Sequence, residues 1–272
     1  MMNGMVLLYL FVMGAAIGSF LNVLIDRLPN EESINGRSRC DYCKKQLPWS
    51  VNIPVISYFL LHGRTRCCHK PLSFQYPLIE LITGLMFVGV WMIFPMQSSK
   101  ILNFKFLILN EFQILTLEKI AVLGLFSTLL VIFVADLKYH IIPDSMQILL
   151  LVFSVILSVG TGRDLSLLNI LVSGAIIMSP ILFLFLITLG RGMGFGDVKF
   201  AFTMGVLLGT VGGIIALYIA FVTGAVVGVF LMLMKKRGMK SKIAFGPFLV
   251  IGLVTVLLFQ EQLLMLVHRF YP

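Results

Sequence analysis

From Phe200 to Met234 the chain runs for 35 residues without one charged side chain. A stretch of that length has no place on a water-soluble surface. A helix needs about 20 apolar residues to cross a ~30 Å hydrocarbon core. The run is therefore too long for one ordinary span and just enough for two short ones. Gly209, Gly212 and Gly213 mark where it breaks. Further apolar runs cover Val6–Ile25, Pro77–Phe94, Ile120–Ala135, Ser145–Val159, Leu165–Leu189 and Ile243–Gln260. With 59% hydrophobic residues, 12% charged residues and a mean hydropathy of +1.01, the chain reads as an all-α polytopic membrane protein.

The charges orient it. A net charge of +9 invites a nucleic-acid partner, but basic loops on the cytoplasmic side of a bilayer explain it better. Segments 26–75, 136–144, 190–199 and 235–242 carry 8, 1, 2 and 5 of the 21 basic residues, leaving 5 elsewhere. Placing all four in the cytoplasm requires two crossings between Asp197 and Lys235, for about eight spans in all, with both termini outside. No basic segment precedes Val6, so Val6–Ile25 reads as a first span and not as a cleaved leader. The domain division is a first transmembrane helix (1–25), a cytoplasmic cysteine-containing domain (26–75) and a seven-helix transmembrane core (76–272).

Gly14, Ala15, Ala16, Gly18 and Ser19 offer the first span a close-packing face, and Asn22 is expected to bond to another helix. Within 26–75, Pro29, Pro48, Pro54 and Pro71 favour loops, and Val51–Leu61 reads as a short surface segment. Glu80 falls in the first turn of the second span, at headgroup depth. Ser98–Lys119 and Gly160–Asp164 read as connections. Asp144, after Pro143, suits the start of a helix.

Two acids stand where cheaper residues would serve. Asp136 ends the third span and opens a loop to Asp144. Asp197 lies in Gly190-Arg-Gly-Met-Gly-Phe-Gly-Asp-Val-Lys199, whose alternating glycines allow a sharp turn. The charge count puts both at one membrane face. Carboxylates ~3 Å apart share a proton, so that one activates water while the other polarises a carbonyl. That is aspartyl-protease chemistry. The plainer alternative is a pair of headgroup-level acids partnered by Lys138 and Lys199.

Gly18-Ser-Phe-Leu-Asn-Val23, Arg27-Leu-Pro29, Cys40-Asp-Tyr-Cys43, Pro54-Val-Ile-Ser-Tyr58, Tyr76-Pro77 with Glu80, Asp136 with Ile142-Pro143-Asp144, and Gly194-Phe-Gly-Asp-Val-Lys199 occur in this order. The chain resembles the type IV prepilin peptidases, which cleave prepilin leaders and methylate the new amino terminus. The resemblance implies an intramembrane-type aspartyl protease in the bacterial inner membrane. Its catalytic acids would be Asp136 and Asp197. Its substrates would be pilin-like proteins with a short basic leader and an apolar helix, and S-adenosylmethionine would be the methyl donor, used at the cytoplasmic loop. No dinucleotide-type glycine fingerprint accompanies that donor.

Cys40-x2-Cys43 is half a tetrahedral zinc site. The family usually adds a second Cys-x2-Cys. Here the alignment through Pro71, Leu72 and Ser73 puts Cys68 on its last cysteine and Thr65 in place of its third. Cys67 sits beside, and joins the set only if the backbone turns both sulfurs inward. His69 or His62 are the other candidates for the fourth ligand. Two further functions compete. An ion-coupled transporter would use the glycine breaks and helix-end acids. A thiol oxidoreductase would use the cysteines, which the topology places in a reducing compartment.

Overall fold

In the computed structural model, residues 4–40, 42–48, 51, 53–93, 117–160, 167–190, 192–234 and 244–270 are described. Most of the connection 98–119, the turn 161–164 and the basic run 235–242 lie outside them. The described helices are α1 (Gly4–Arg27), α2 (Ile56–Leu60), α3 (Gln75–Ile93), α4 (Leu117–Tyr139), α5 (Asp144–Gly160), α6 (Leu167–Thr188), α7 (Phe195–Leu233) and α8 (Gly246–Phe270). Five of the described helices, α1, α3, α4, α6 and α7, are long and apolar enough to cross a membrane, and α5 and the first part of α8 are shorter apolar helices. This is an all-α polytopic architecture.

Contacts divide the chain into two units, Met1–Ser98 and Ser99–Pro272. In the first, α1 packs along α3. Small residues at 14 and 18 let α3 approach, and the Asn22 amide donates to the Tyr76 carbonyl at 3.1 Å, the interhelical bond expected of it. Among the described residues of the loop 28–74 are a 3-10 turn (Leu28–Asn30) and α2. Within the described residues of the apolar stretch 51–61, Ile56–Leu60 form an α-helix.

In the second unit α7 is the hub, packing on α5, α6 and α8, while α4 packs on α5 and α8. Leu150, Ile177, Ile181, Phe200, Met204 and Leu249 fill its interior. Large apolar side chains such as Ile148, Leu171, Phe183 and Val226 face outward, as a lipid-facing surface requires. A straight helix of 39 residues would be roughly 58 Å long, about twice the hydrocarbon core. Instead the backbone leaves the helical region at Gly209 (φ 74°, ψ −177°). Of the three glycines that marked the break, only this one carries it, in a conformation closed to other residues.

The C-terminal end of α4 differs from expectation. α4 does not end at Asp136 but continues to Tyr139. His140, at φ 56°, terminates it and returns its N–H to the Asp136 carbonyl at 2.9 Å. Asp136 is thus one turn inside a helix and 5% exposed.

Candidate active site and cysteine cluster

Asp136 projects from the last turn of α4 toward the start of α8, where the Gly246 N–H donates to its Oδ2 at 2.9 Å. Amides at a helix start have no intrahelical partner and carry positive partial charge, so a carboxylate fits there. A Cβ at 246 would lie 2.6 Å from that oxygen, so only glycine permits the approach. Asp197, 7% exposed, is the third residue of α7. Its Oδ2 accepts the Gly194 N–H at 3.0 Å and caps its own helix. The Ile142 side chain touches the positions of both Gly196 and Gly246. Ile142 thus joins the residue before Asp197 to the glycine that holds Asp136, at one end of the second unit.

Neighbouring polar groups fix the glycine turn. The Gln147 amide on α5, 4% exposed, donates to the Gly196 carbonyl at 2.8 Å. Sequence reasoning passed over this residue. Its signal was a lone amide in an apolar helix, one turn from Asp144. Lys199 pairs with Asp144 at 2.6 Å. Asp144 does begin α5, as expected, but Lys199 neutralises Asp144 and not a buried acid. Glu80 falls in the second turn of α3, because the helix begins at Gln75. It is 8% exposed, and its Oε2 accepts the Val55 N–H at 2.7 Å, holding that residue at φ 59°.

The cysteine loop is built twice. Cys40 N–H donates to Lys45 O at 2.9 Å, Lys44 N–H to Cys40 O at 2.9 Å, and Leu47 N–H to Ser38 O at 2.9 Å. Twenty-five positions on, Thr65 N–H donates to Lys70 O at 2.8 Å, His69 N–H to Thr65 O at 2.9 Å, and Leu72 N–H to Gly63 O at 2.8 Å. Lys44 and His69 both turn through positive φ, at 57° and 54°. Antiparallel bridges Arg39–Gln46 and Arg64–Pro71 close the two knuckles. Thr65 therefore stands where Cys40 stands in the first, and is buried like it. Its hydroxyl lies 3.1 Å from the Cys68 sulfur.

The turn 65–69 brings Cys67 inward beside Cys68. The four sulfurs lie within 4.8 Å of one another, with Cys40–Cys68 at 3.7 Å, Cys43–Cys67 at 3.1 Å and Cys67–Cys68 at 4.0 Å. Zinc–sulfur bonds of ~2.3 Å in a tetrahedron put sulfurs ~3.8 Å apart. The donor set fits zinc. Neither His62 nor His69 belongs to this cluster of described residues. The Lys45 N–H draws the Cys43 thiol below its usual range, and the hydrogen bond with Cys43 pushes Cys67 up to about 12.

Residues 12–94 match the model of the Bacterial Peptidase A24 N-terminal domain, and residues 123–229 that of the Type IV leader peptidase family. The chain is similar to the prepilin leader peptidase/N-methyltransferase of Pectobacterium carotovorum subsp. carotovorum, 31% identical over 89% of this chain and 88% of that protein. Proteins of the same description from Burkholderia pseudomallei (strain 1026b) and Stutzerimonas stutzeri are each 29% identical. The first alignment covers 94% of this chain and 86% of the relative, and the second 93% and 90%. No solved structure matches.

Proposed function

The chain belongs to the type IV prepilin leader peptidase/N-methyltransferase family, and on that premise we propose that it is a membrane aspartyl endopeptidase using Asp136 and Asp197. The observation that carries this reading is their arrangement: two buried carboxylates, each with an oxygen held by a glycine N–H near a helix start, with Ile142 packed against both Gly246 and Gly196. In the singly protonated pair, the ionised acid takes a proton from water as the oxygen attacks the scissile carbonyl, which the protonated partner polarises. Collapse of the tetrahedral carbon breaks the C–N bond, and a proton passes to the departing amine. The pair titrates as a unit, so neither residue is the acid throughout. Activity accordingly falls on both sides of a pH optimum.

The substrates in this reading are prepilins and pseudopilins, whose basic leader stays in the cytoplasm while the apolar helix lies among the spans. About eight spans, with segments 26–75, 136–144, 190–199 and 235–242 in the cytoplasm, follow from the distribution of basic residues. Five long apolar helices and bacterial relatives support an inner-membrane location. The functional division is a first span (1–25), a cysteine domain (26–75) and a protease core (76–272). It differs from the packing division, in which α3 stays with α1. Cys40, Cys43, Cys67 and Cys68 would hold one zinc ion in a closed, structural site. S-adenosylmethionine, when bound, supplies the methyl group for the freed amine.

The test is incubation of the purified protein with a synthetic prepilin amino-terminal segment, followed by mass measurement. Loss of the leader is expected, with the mass of one methyl group added when S-adenosylmethionine is present. An intact segment contradicts the reading and returns the transporter alternative.

A further inference from the structure

The short helix α2 has two faces. Ser57 and Tyr58, with Leu61 at its end, line the cavity between α1, α3 and the cysteine loop. Ile56, Phe59 and Leu60 share the other face, at the i, i+3 and i+4 spacing of neighbours on a helix. They are 56, 63 and 72% exposed. Contiguous apolar surface of this kind marks a contact with another protein or a membrane. The patch does not stand alone. The Tyr58 ring packs edge-on against Phe74, with centroids 6.2 Å apart. Phe74 is 60% exposed, and its carbonyl accepts the Leu78 N–H at 3.3 Å, so it extends the first turn of α3. From there Leu78, Leu81 and Leu85, all exposed, continue the same stripe along α3 at helical spacing.

That continuity identifies the cover. α3 is long and apolar enough to cross a membrane, and its outward stripe is the side that meets lipid. Its 19 residues rise roughly 28 Å, about the hydrocarbon thickness, so Phe74 falls where acyl chains give way to headgroups. α2 is held at that depth by a second tie, because Glu80 of α3 accepts the N–H of Val55, the residue before α2. Charge agrees. Segment 26–75 carries eight Lys/Arg against four Asp/Glu, and Arg64, just past α2, is exposed. Such a balance is drawn to anionic headgroups and repels the same surface of a second copy. We propose that Ile56, Phe59, Leu60 and Phe74 seat the cysteine loop in the bilayer interface. The apolar face of α2 lies among the upper acyl chains, and the basic knuckles stay in water above it. The loop is thereby anchored at three places: its two ends in the spans α1 and α3, and α2 in lipid.

The test is fluorescence quenching of the full-length protein in vesicles of phosphatidylglycerol and phosphatidylethanolamine. The two native tryptophans, Trp49 and Trp91, are first replaced by phenylalanine. A single tryptophan is then introduced by Phe59→Trp, by Leu60→Trp or, as a water-facing control on the first knuckle, by Lys45→Trp. Two patch positions guard against a folding defect in either, and gel filtration checks each variant. Lipids brominated near the top of the acyl chain should remove at least about half of the emission from positions 59 and 60, because interfacial helices seat their apolar face ~5–10 Å deep. Dissolved acrylamide should spare those two and quench position 45. Quenching of both patch positions by acrylamide and of neither by brominated lipid overturns the anchoring. Protection of both from both quenchers means that protein covers the patch, which overturns lipid as its occupant.

Discussion

The acid pair of the second unit and the cysteine loop of the first are each assembled from residues distant in sequence, but different things hold them. Each knuckle of the loop is fixed by backbone hydrogen bonds that repeat from 38–47 to 63–72. A side chain can change on that scaffold without moving it. Thr65 occupies a cysteine position, and Cys67 supplies a sulfur from the same turn. Asp136 and Asp197 are instead held one oxygen at a time, by Gly246 and Gly194. A site defined by backbone geometry tolerates drift in its ligands. A site defined by a shared proton does not.

The largest effect expected is on the acids. Asp136→Asn or Asp197→Asn should lower leader cleavage by at least about 10³-fold, because asparagine keeps the shape but cannot cycle a proton. Asp144→Asn and Glu80→Gln should retain activity in the same assay, since neither touches the pair.

Next comes the contact that positions Asp136. Gly246→Ala places a methyl group 2.6 Å from Oδ2. The carboxylate or the start of α8 must shift, and displacement on the 1 Å scale costs about 10²-fold. Gel filtration should find the variant folded. Full activity would mean that the Gly246 bond is incidental.

The cysteine loop should respond in metal content. The purified protein is expected to carry about one equivalent of zinc, and Cys40→Ser to lose it. Thiolates bind metal and thiols do not, so acidification should release zinc. Cys67, pushed up to about 12 in the metal-free cluster, must give up its proton on binding. Metal retained unchanged down through the acidic range would contradict ligation by this thiol.

The smallest effect tests the comparison itself. Thr65→Cys restores a sulfur on the second knuckle and should leave metal content unchanged or tighten it, as competition with a chelator would measure. Loss of metal on that change would mean that the two knuckles are not equivalent.

Much of this was legible in the sequence because hydropathy is a local signal. The long helices follow the uncharged runs, and the break in the longest falls at Gly209. Asn22 bonded across to α3 as a buried amide in an apolar helix should. What the sequence left out depends on distant partners. Lys199 finds Asp144 from 55 positions away, and Gln147 finds Gly196 from 49. The extension of α4 beyond Asp136 rests on His140 adopting positive φ, which no periodicity announces. The inward turn of Cys67 depends on a fold of the loop that repeats hydrogen bonds, not side chains.

The central claim is that Asp136 and Asp197 act as one unit. Cleavage rates of Asp136→Asn, Asp197→Asn and the double variant, each confirmed folded, test it most directly. If the acids share one proton, either single change removes the function of both, and the double variant is no slower than the singles. Substantial turnover by either single variant, or a double variant slowed by the product of the two effects, would contradict the account.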